Sequence, residues 1–405
     1  MHLFLFCLQL NKTVYNVDNQ MIIVFLSNYF NHHQASLSAQ LYEQTNHQYF
    51  FIETAKISDE RIKLGWGGDA KPEYVKYYLQ DEYTRRFCDS VIYDADVVII
   101  GSAPDILIKR RLKQGKLVFR YSERPLKKGL ELYKYPYRYF KWHRINNRSF
   151  NIYMLSASSF TSADYAKFGL FENRCFKWGY FPETKKYDVD DLIQGKDRKR
   201  ILWAGRFLDW KHPDDVLHVA KKLKDDGLTF TMDIVGTGIM DSKLKEMSVS
   251  LGLTDCVNFI GSVPANQVRT LMEKAGIYLF TSDRYEGWGA VLNESMNSGC
   301  AIVASHAIGS VPFLMKNKGN GIVYHSGDVG ELFKKVQYLL ENPDYQAQIG
   351  KTAYHTITEE WNAETAAERL ISLAEHILAG EKHLDLYQTG PCSKAEIIKD
   401  DWFCE

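Results

Sequence analysis

The chain has 405 residues, 45% of them apolar and 14% aromatic, with 50 Lys+Arg balanced by 50 Asp+Glu. This excludes a disordered or collagen-like chain, since the 27 Gly and 10 Pro follow no period, and no stretch offers the ~18 to 20 uninterrupted apolar residues of a membrane span. The neutral total hides a polarity: residues 1–200 carry 31 basic and 22 acidic side chains and residues 201–405 carry 19 and 28, so the two halves are expected to face different partners.

The opening MHLFLFCLQL is a short apolar run without a basic flank or a small-residue cleavage site, which does not read as a signal peptide. A polar stretch without period follows, so residues 1–20 are expected to be an extension outside the fold. From Met21, apolar runs alternate with amphipathic stretches, the pattern of strand–helix–strand units feeding a parallel sheet. The runs are MIIVFLS (21–27), YFFIET (49–54), DVVIIGS (96–102), KLVFRYS (116–122) and NIYMLSAS (151–158). Between Asp96 and Ser122 the pattern is clearest: an apolar strand, a basic helix, Gly115 as its stop and a second strand, one right-handed crossover unit.

Residues 183–200 lose apolar periodicity and read as an exposed linker. A second series follows: KRILWAG (199–205), TFTMDIVG (229–236), CVNFIGS (256–262), GIYLFTS (276–282) and CAIVASH (300–306). The helix opening at Pro213 and closing before Gly227 obeys the proline-first, glycine-last asymmetry. The fold class is therefore α/β, with two doubly wound, Rossmann-like domains at residues 21–190 and 199–360. Ligands on such sheets sit at the carboxyl ends of the strands, which makes a cleft between the domains the expected site. Residues 361–380 read as an amphipathic helix, and the tail, residues 381–405, has no clear pattern. Seven scattered cysteines, with no C-x-x-C pair and no His at zinc spacing, point to thiols in a reducing compartment.

The segment DRYEGWGAVLNE (283–294) follows a buried strand and places Glu286 before a Gly-rich turn and Glu294 eight residues on. If wholly helical, the interval would span about 12 Å at ~1.5 Å per residue, comparable to the reach from a sugar across a diphosphate to a ribose. Backbone N–H groups around Gly289, Ala290 and Val291 would meet the phosphates between. Upstream, Gly205-Arg206-Phe207 closes a strand and is followed by Lys211, two cations suited to a leaving diphosphate. Taken singly, each of these charges reads as readily as a solvated loop or helix-start residue; their order and spacing carry the inference.

The order G-R-F-x3-K, then Val235-Gly236-Thr237-Gly238, then Asn258-Phe259-Ile260-Gly261, then E-x7-E resembles the retaining glycosyltransferases of family 4, also called group 1, which have the two-Rossmann-domain GT-B fold. The resemblance covers residues 199–372 well and residues 21–182 in general pattern only. It implies that Arg206 and Lys211, beside Gly205, hold the donor diphosphate, Glu286 the hydroxyls of the transferred sugar, and Glu294 those of the ribose. It places Gly236, Gly238 and the backbone near Ile260 beside the nucleotide base, and Gly287, Trp288, Gly289, Ala290 and Val291 along the donor. It further implies retention of anomeric configuration, no metal or other cofactor, a leaving phosphate that helps deprotonate the acceptor, and a last helix that crosses back to brace the N-terminal domain.

Two departures stand out. The family's Gly-Gly turn after the first strand is replaced by Ser27-Asn-Tyr-Phe-Asn31-His32-His33-Gln34, where Asn31 or His32 would have to donate instead. The family's active-site His after the fourth main strand is absent from Arg120-Tyr121-Ser122-Glu123-Arg124. Glu123 is the candidate substitute, accepting a proton or holding an acceptor hydroxyl; an ion pair with Arg120 or Arg124 is the alternative. His32 and His33 read either as loop histidines or as acceptor-side groups.

Residues 106–148 hold 14 Lys+Arg and only Glu123 and Glu131, interleaved with Tyr133, Tyr135, Tyr137, Tyr139, Phe140 and Trp142. This suits the headgroup layer of an anionic membrane, and equally a core of aromatics under a solvated basic face. No recognition motif accompanies the charges, so nucleic acid is not expected. The expected activity is transfer of a hexose or N-acetylhexosamine from a nucleoside-diphosphate sugar to a saccharide or lipid-linked acceptor, in the cytoplasm or peripherally on the inner face of the membrane. A non-catalytic glycosyltransferase-like partner and a sugar-nucleotide epimerase are the competing readings.

Overall fold

The computed structural model describes residues 21–57 and 71–403, so residues 1–20 lie outside the described residues. The N-terminal sheet is built from β1 (Ile23–Ser27), β2 (Tyr49–Glu53), β3 (Val75–Tyr77), β4 (Val97–Ile100), β5 (Leu117–Ser122), β6 (Ile152–Ser156) and β7 (Cys175–Lys177), in the order 3-2-1-4-5-6-7. The C-terminal sheet contains β8 (Asp197–Ala204), β9 (Thr231–Val235), β10 (Val257–Gly261), β11 (Ala275–Phe280), β12 (Ala301–Ser305) and β13 (Ile322–Tyr324), in the order 10-9-8-11-12-13. All pairings between these strands are parallel, for example Val24 with Val98 and Tyr278 with Ile302. Central strands such as IVFLS and AGIYLF are buried along their whole length, as sheets covered on both faces require. The two sheets are the Rossmann-like pair expected.

Two features of the chain depart from expectation. Residues 183–200 are not an exposed linker. Asp188 caps a helix, Val189–Gln194, and β8 starts at Asp197. Lys185 and Tyr187 are pinned to Asn297 and Tyr354 of the C-terminal domain, and buried Lys196 donates to the carbonyls of Met272 and Ala275. The segment is held by polar contacts to backbone and side chains, which leave no apolar period to read.

The tail is also structured. Residues 392–395 run antiparallel along β7, with Lys177 N donating to Ser393 O at 2.7 Å and Ala395 N to Cys175 O at 3.0 Å. It then returns toward the C-terminal domain, where the indole of Trp402 donates to His306 O at 3.0 Å.

The helix Ala363–Leu378 is capped by Asn362, whose side chain accepts from Thr365 N. Its buried Ala366, Leu370 and Ala374 share one apolar cluster with Leu37 and Leu41 of the N-terminal helix His32–Gln44. Gln44 also donates to Glu364 O at 3.2 Å. The same cluster holds Trp178, Trp288 and Trp361, which join the domains below the cleft. Gly179 is required there, because a Cβ would sit 2.2 Å from the Trp288 ring.

Candidate active site

A cavity of about 850 Å³ lies between the domains, lined by the carboxyl ends of strands from both sheets. From the C-terminal domain come Gly205, Arg206, Trp210, Lys211, Glu286 and the run Gly287, Gly289, Ala290 and Val291. From the N-terminal domain come Asn31, His33, Gln34, Glu123, Lys127 and Tyr180.

On the C-terminal wall, the end of β11 fastens the loop after β8. Thr281 Oγ1 donates to Lys211 O at 2.6 Å and receives the Trp203 indole N–H at 2.9 Å, while Asp283 N donates to Trp210 O. The loop in turn needs Gly236 and Gly238: with φ +134° at Gly236, a Cβ would come 1.9 Å from Gly205 O, and one on Gly238 would lie 2.4 Å from Phe207 O. Lys211 Nζ sits 2.5 Å from Glu286 Oε2, and the Ser282 hydroxyl donates to the same oxygen at 3.0 Å. Arg206 is exposed and forms no ion pair with any described residue. The helix Val291–Asn297 starts at the cavity, so the positive end of its dipole lies beside that space.

On the facing wall, Asn31 accepts from His33 N and caps the helix His32–Gln44, whose start also lines the cavity. Burial, with His32 beside it, pushes the His33 imidazole down to about 3, so it is neutral at physiological pH. His32 is exposed and is not among the lining residues. Glu123 does not pair with Arg120 or Arg124. Those guanidiniums bind Asp105 and Asn146, and Asp164 and Asp400, respectively. Glu123 instead accepts from Lys127 Nζ and from Tyr180 OH, both at 2.6 Å. Its carboxylate also crosses to the other domain, occupying the place where a Cβ on Gly287 would be, 2.0 Å from Oε2. Burial raises the phenols of Tyr180 and of its neighbour Tyr121 well above their ordinary value, so both stay protonated donors.

The sequence expectation thus splits. Arg206, Lys211, Glu286 and Glu123 share one cavity, together with Gly205, Gly287, Gly289, Ala290, Val291, Asn31 and His33. Glu294, Gly236, Gly238, Ile260 and Trp288 are not among its lining residues. The interval from Glu286 to Glu294 is only half helical, because the helix starts at Val291, and Glu294 is half-buried, its carboxyl pushed up by desolvation against the opposing pull of Arg269. Trp288 is fully buried and its indole donates to Asn293. Tyr180 and Lys127 were missed: Tyr180 follows the three-residue β7, too short to read as a strand, and Lys127 is masked by the surrounding run of basic residues. Among the described residues, the cluster of His212, Asp214 and Asp215 has the spacing of metal ligands, but none of the three lines the cavity.

Residues 186–356 match the family model of glycosyl transferases group 1. That match links the C-terminal half of the chain to the group 1 glycosyltransferases. An uncharacterized glycosyltransferase of Haemophilus influenzae is 29% identical over 172 residues, 42% of this chain and 48% of that protein. The amylovoran biosynthesis glycosyltransferase AmsK of Erwinia amylovora is 25% identical over 206 residues, half of each chain. The chain thus matches about half the length of these curated relatives. Among solved structures, HepE of Anabaena in complex with UDP aligns with 89% of this chain and the whole of its own, at a TM-score of 0.64 and 14% identity. The lipopolysaccharide outer core galactosyltransferase WaaB aligns over the same shares at 0.62 and 16%. These likenesses show the GT-B fold.

Proposed function

We propose that the chain is a retaining, metal-independent glycosyltransferase that moves a hexose or N-acetylhexosamine from a nucleoside-diphosphate sugar to a saccharide or lipid-linked acceptor, the latter reached at a membrane surface from the cytoplasm. The observation that carries this reading is the convergence of Arg206, Lys211 and Glu286 on one cavity, with Glu123 facing them.

In this reading the donor displaces an internal ion pair. The diphosphate takes Lys211 from Glu286 and recruits Arg206, and the freed Glu286 carboxylate accepts from hydroxyls of the sugar. N–H groups at the start of the helix Val291–Asn297 meet the phosphate oxygens. As the bond from the anomeric carbon to the phosphate oxygen breaks, Arg206 and Lys211 neutralise the charge growing on the leaving diphosphate. The acceptor oxygen bonds to the anomeric carbon on the same face, and its proton passes to the departing phosphate oxygen. Glu123, oriented by Tyr180 and Lys127, holds the acceptor hydroxyl, and Glu294 binds the ribose after a local rearrangement at the helix. HepE was solved with UDP, which makes uridine donors the first to test.

The experiment is a thermal-shift screen of nucleotide sugars followed by donor hydrolysis and transfer assays, with Glu286→Ala as control. A raised melting temperature and turnover lost in Glu286→Ala support the reading. Binding without turnover favours a non-catalytic partner, and conversion of the donor sugar without release of nucleotide favours an epimerase.

A further inference from the structure

The helix Tyr135–Asn146 carries aromatic residues on both faces. On the inner face Tyr135 stacks on Phe168 at 4.7 Å, and Trp142 meets Phe168 at 4.6 Å and Tyr165 at 5.0 Å. On the outer face Tyr137 and Phe140, with Leu132 and Tyr133 of the preceding turn, are 66%, 73%, 76% and 77% exposed, with Lys141 over the Tyr137 ring and Lys134 over the Tyr133 ring. A helix packed on a domain ordinarily turns polar residues outward. A cluster of exposed aromatics instead marks a surface that meets a partner.

The charge around these rings indicates which partner. Residues 128–144 contain Lys128, Lys134, Arg138, Lys141 and Arg144 against Glu131 alone. Glu131 accepts from Lys134 at 2.6 Å and from Arg138 at 2.5 Å, tying the turn to the helix. Lys128, Lys141 and Arg144 have no acidic partner among the described residues and are exposed. Single-stranded nucleic acid is held in grooves where bases stack on rings; these rings stand on the outside of a helix. Tyr and Phe beside Lys and Arg match the headgroup layer, where the ring body is apolar and the rim is charged.

We propose that the outer face of residues 132–144 docks the chain on a bilayer rich in anionic lipid. Lys127, which lines the cavity, lies five residues before the docking segment, so docking would bring the N-terminal wall of the cavity toward the bilayer. Delivery of a lipid-borne acceptor rests on the glycosyl-transfer reading; docking itself does not.

The test floats the full chain with vesicles of phosphatidylcholine alone or mixed equally with phosphatidylglycerol. Recovery with the mixed vesicles, weakened by salt, is expected, and Tyr137→Ser/Phe140→Ser and Lys141→Ser/Arg144→Ser are each expected to lower the bound fraction roughly tenfold or more. All four positions are exposed, and circular dichroism checks that the variants stay folded. The proposal is overturned by no flotation, by equal recovery with both vesicles, by variants that float like the parent, by preferential capture on single-stranded RNA, or by a dimer that the aromatic substitutions disperse. Flotation without nucleotide-sugar binding would leave docking in place and remove the transfer reading.

Discussion

Lys211 Nζ and Glu286 Oε2 lie 2.5 Å apart on the C-terminal wall of the cavity, each side chain only 12% exposed. In the proposed reading, a nucleotide-sugar donor exchanges this contact for two others. Lys211→Ala is expected to weaken nucleotide-sugar binding at least tenfold. It should also destabilise the fold by about 1–3 kcal/mol, since the carboxylate left behind is poorly solvated and keeps only the Ser282 hydroxyl as a partner. Urea unfolding and a binding titration check the two halves separately.

Gly287 and Gly309 distinguish a functional contact from a structural one. A Cβ on Gly309 would stand 1.8 Å from the Gly287 carbonyl, a backbone atom that cannot step aside, so Gly309→Ala is expected to cost roughly 1–3 kcal/mol or more. On Gly287 the obstacle is the end of the Glu123 side chain. Gly287→Ala should therefore leave thermal stability nearly unchanged while swinging Glu123 off Tyr180 and slowing transfer more than donor hydrolysis.

If Glu123 handles the acceptor hydroxyl, Glu123→Gln is expected to reduce transfer by roughly 10²-fold, the lower end of what a positioned acid or base contributes. Nucleotide-sugar affinity should stay within a few-fold of the parent. Tyr180→Phe, which removes the donor to Oε1, should give a smaller loss of the same kind. Equal losses in donor affinity and transfer would assign Glu123 to the donor instead.

The depressed His33 gives a pH signature. The folded chain resists protonation at this ring until about pH 3, whereas the unfolded chain takes up a proton near the ordinary histidine value of about 6.5. Between those limits the unfolded state binds more protons, so stability falls as pH falls. His33→Gln should flatten this part of the stability curve, measured by denaturant unfolding from pH 7 to pH 4.

The tail is expected to act as a strap between the domains. Asp400 reaches Arg124 of the N-terminal domain at 2.9 Å and Arg284 of the C-terminal domain at 3.5 Å. Trp402→Ala together with Asp400→Asn should lower the melting temperature and increase the radius of gyration in small-angle scattering. An unchanged radius would show that the apolar interface around Trp288 holds the domains without help.

Most of the fold was legible because the central strands are buried on both faces and read as unbroken apolar runs. β3, β7 and β13 escaped because three residues carry no period, and their pairing is fixed by neighbours distant in sequence. The antiparallel tail escaped for the same reason: its partner is the edge of β7, not a local pattern. At the site, Arg206, Lys211 and Glu286 could be read as a set because they follow strand ends in one domain. Glu123 was named, but its partner Tyr180 could not be, since it lies 57 residues on and reaches Glu123 only because the ends of β5 and β7 share one sheet. Gly236 and Gly238 were read as ligand contacts, yet their visible role is to let the loop after β8 pack closely, a backbone requirement indistinguishable in sequence from a binding loop.

The most direct test of the account is a calorimetric titration of a panel of nucleoside-diphosphate sugars against the parent chain and the Arg206→Ala/Lys211→Ala variant. The account predicts saturable binding of at least one nucleotide sugar to the parent, without added metal, and a loss of at least tenfold in the variant. No binding across the panel, or equal binding by a variant lacking both cations, would contradict it.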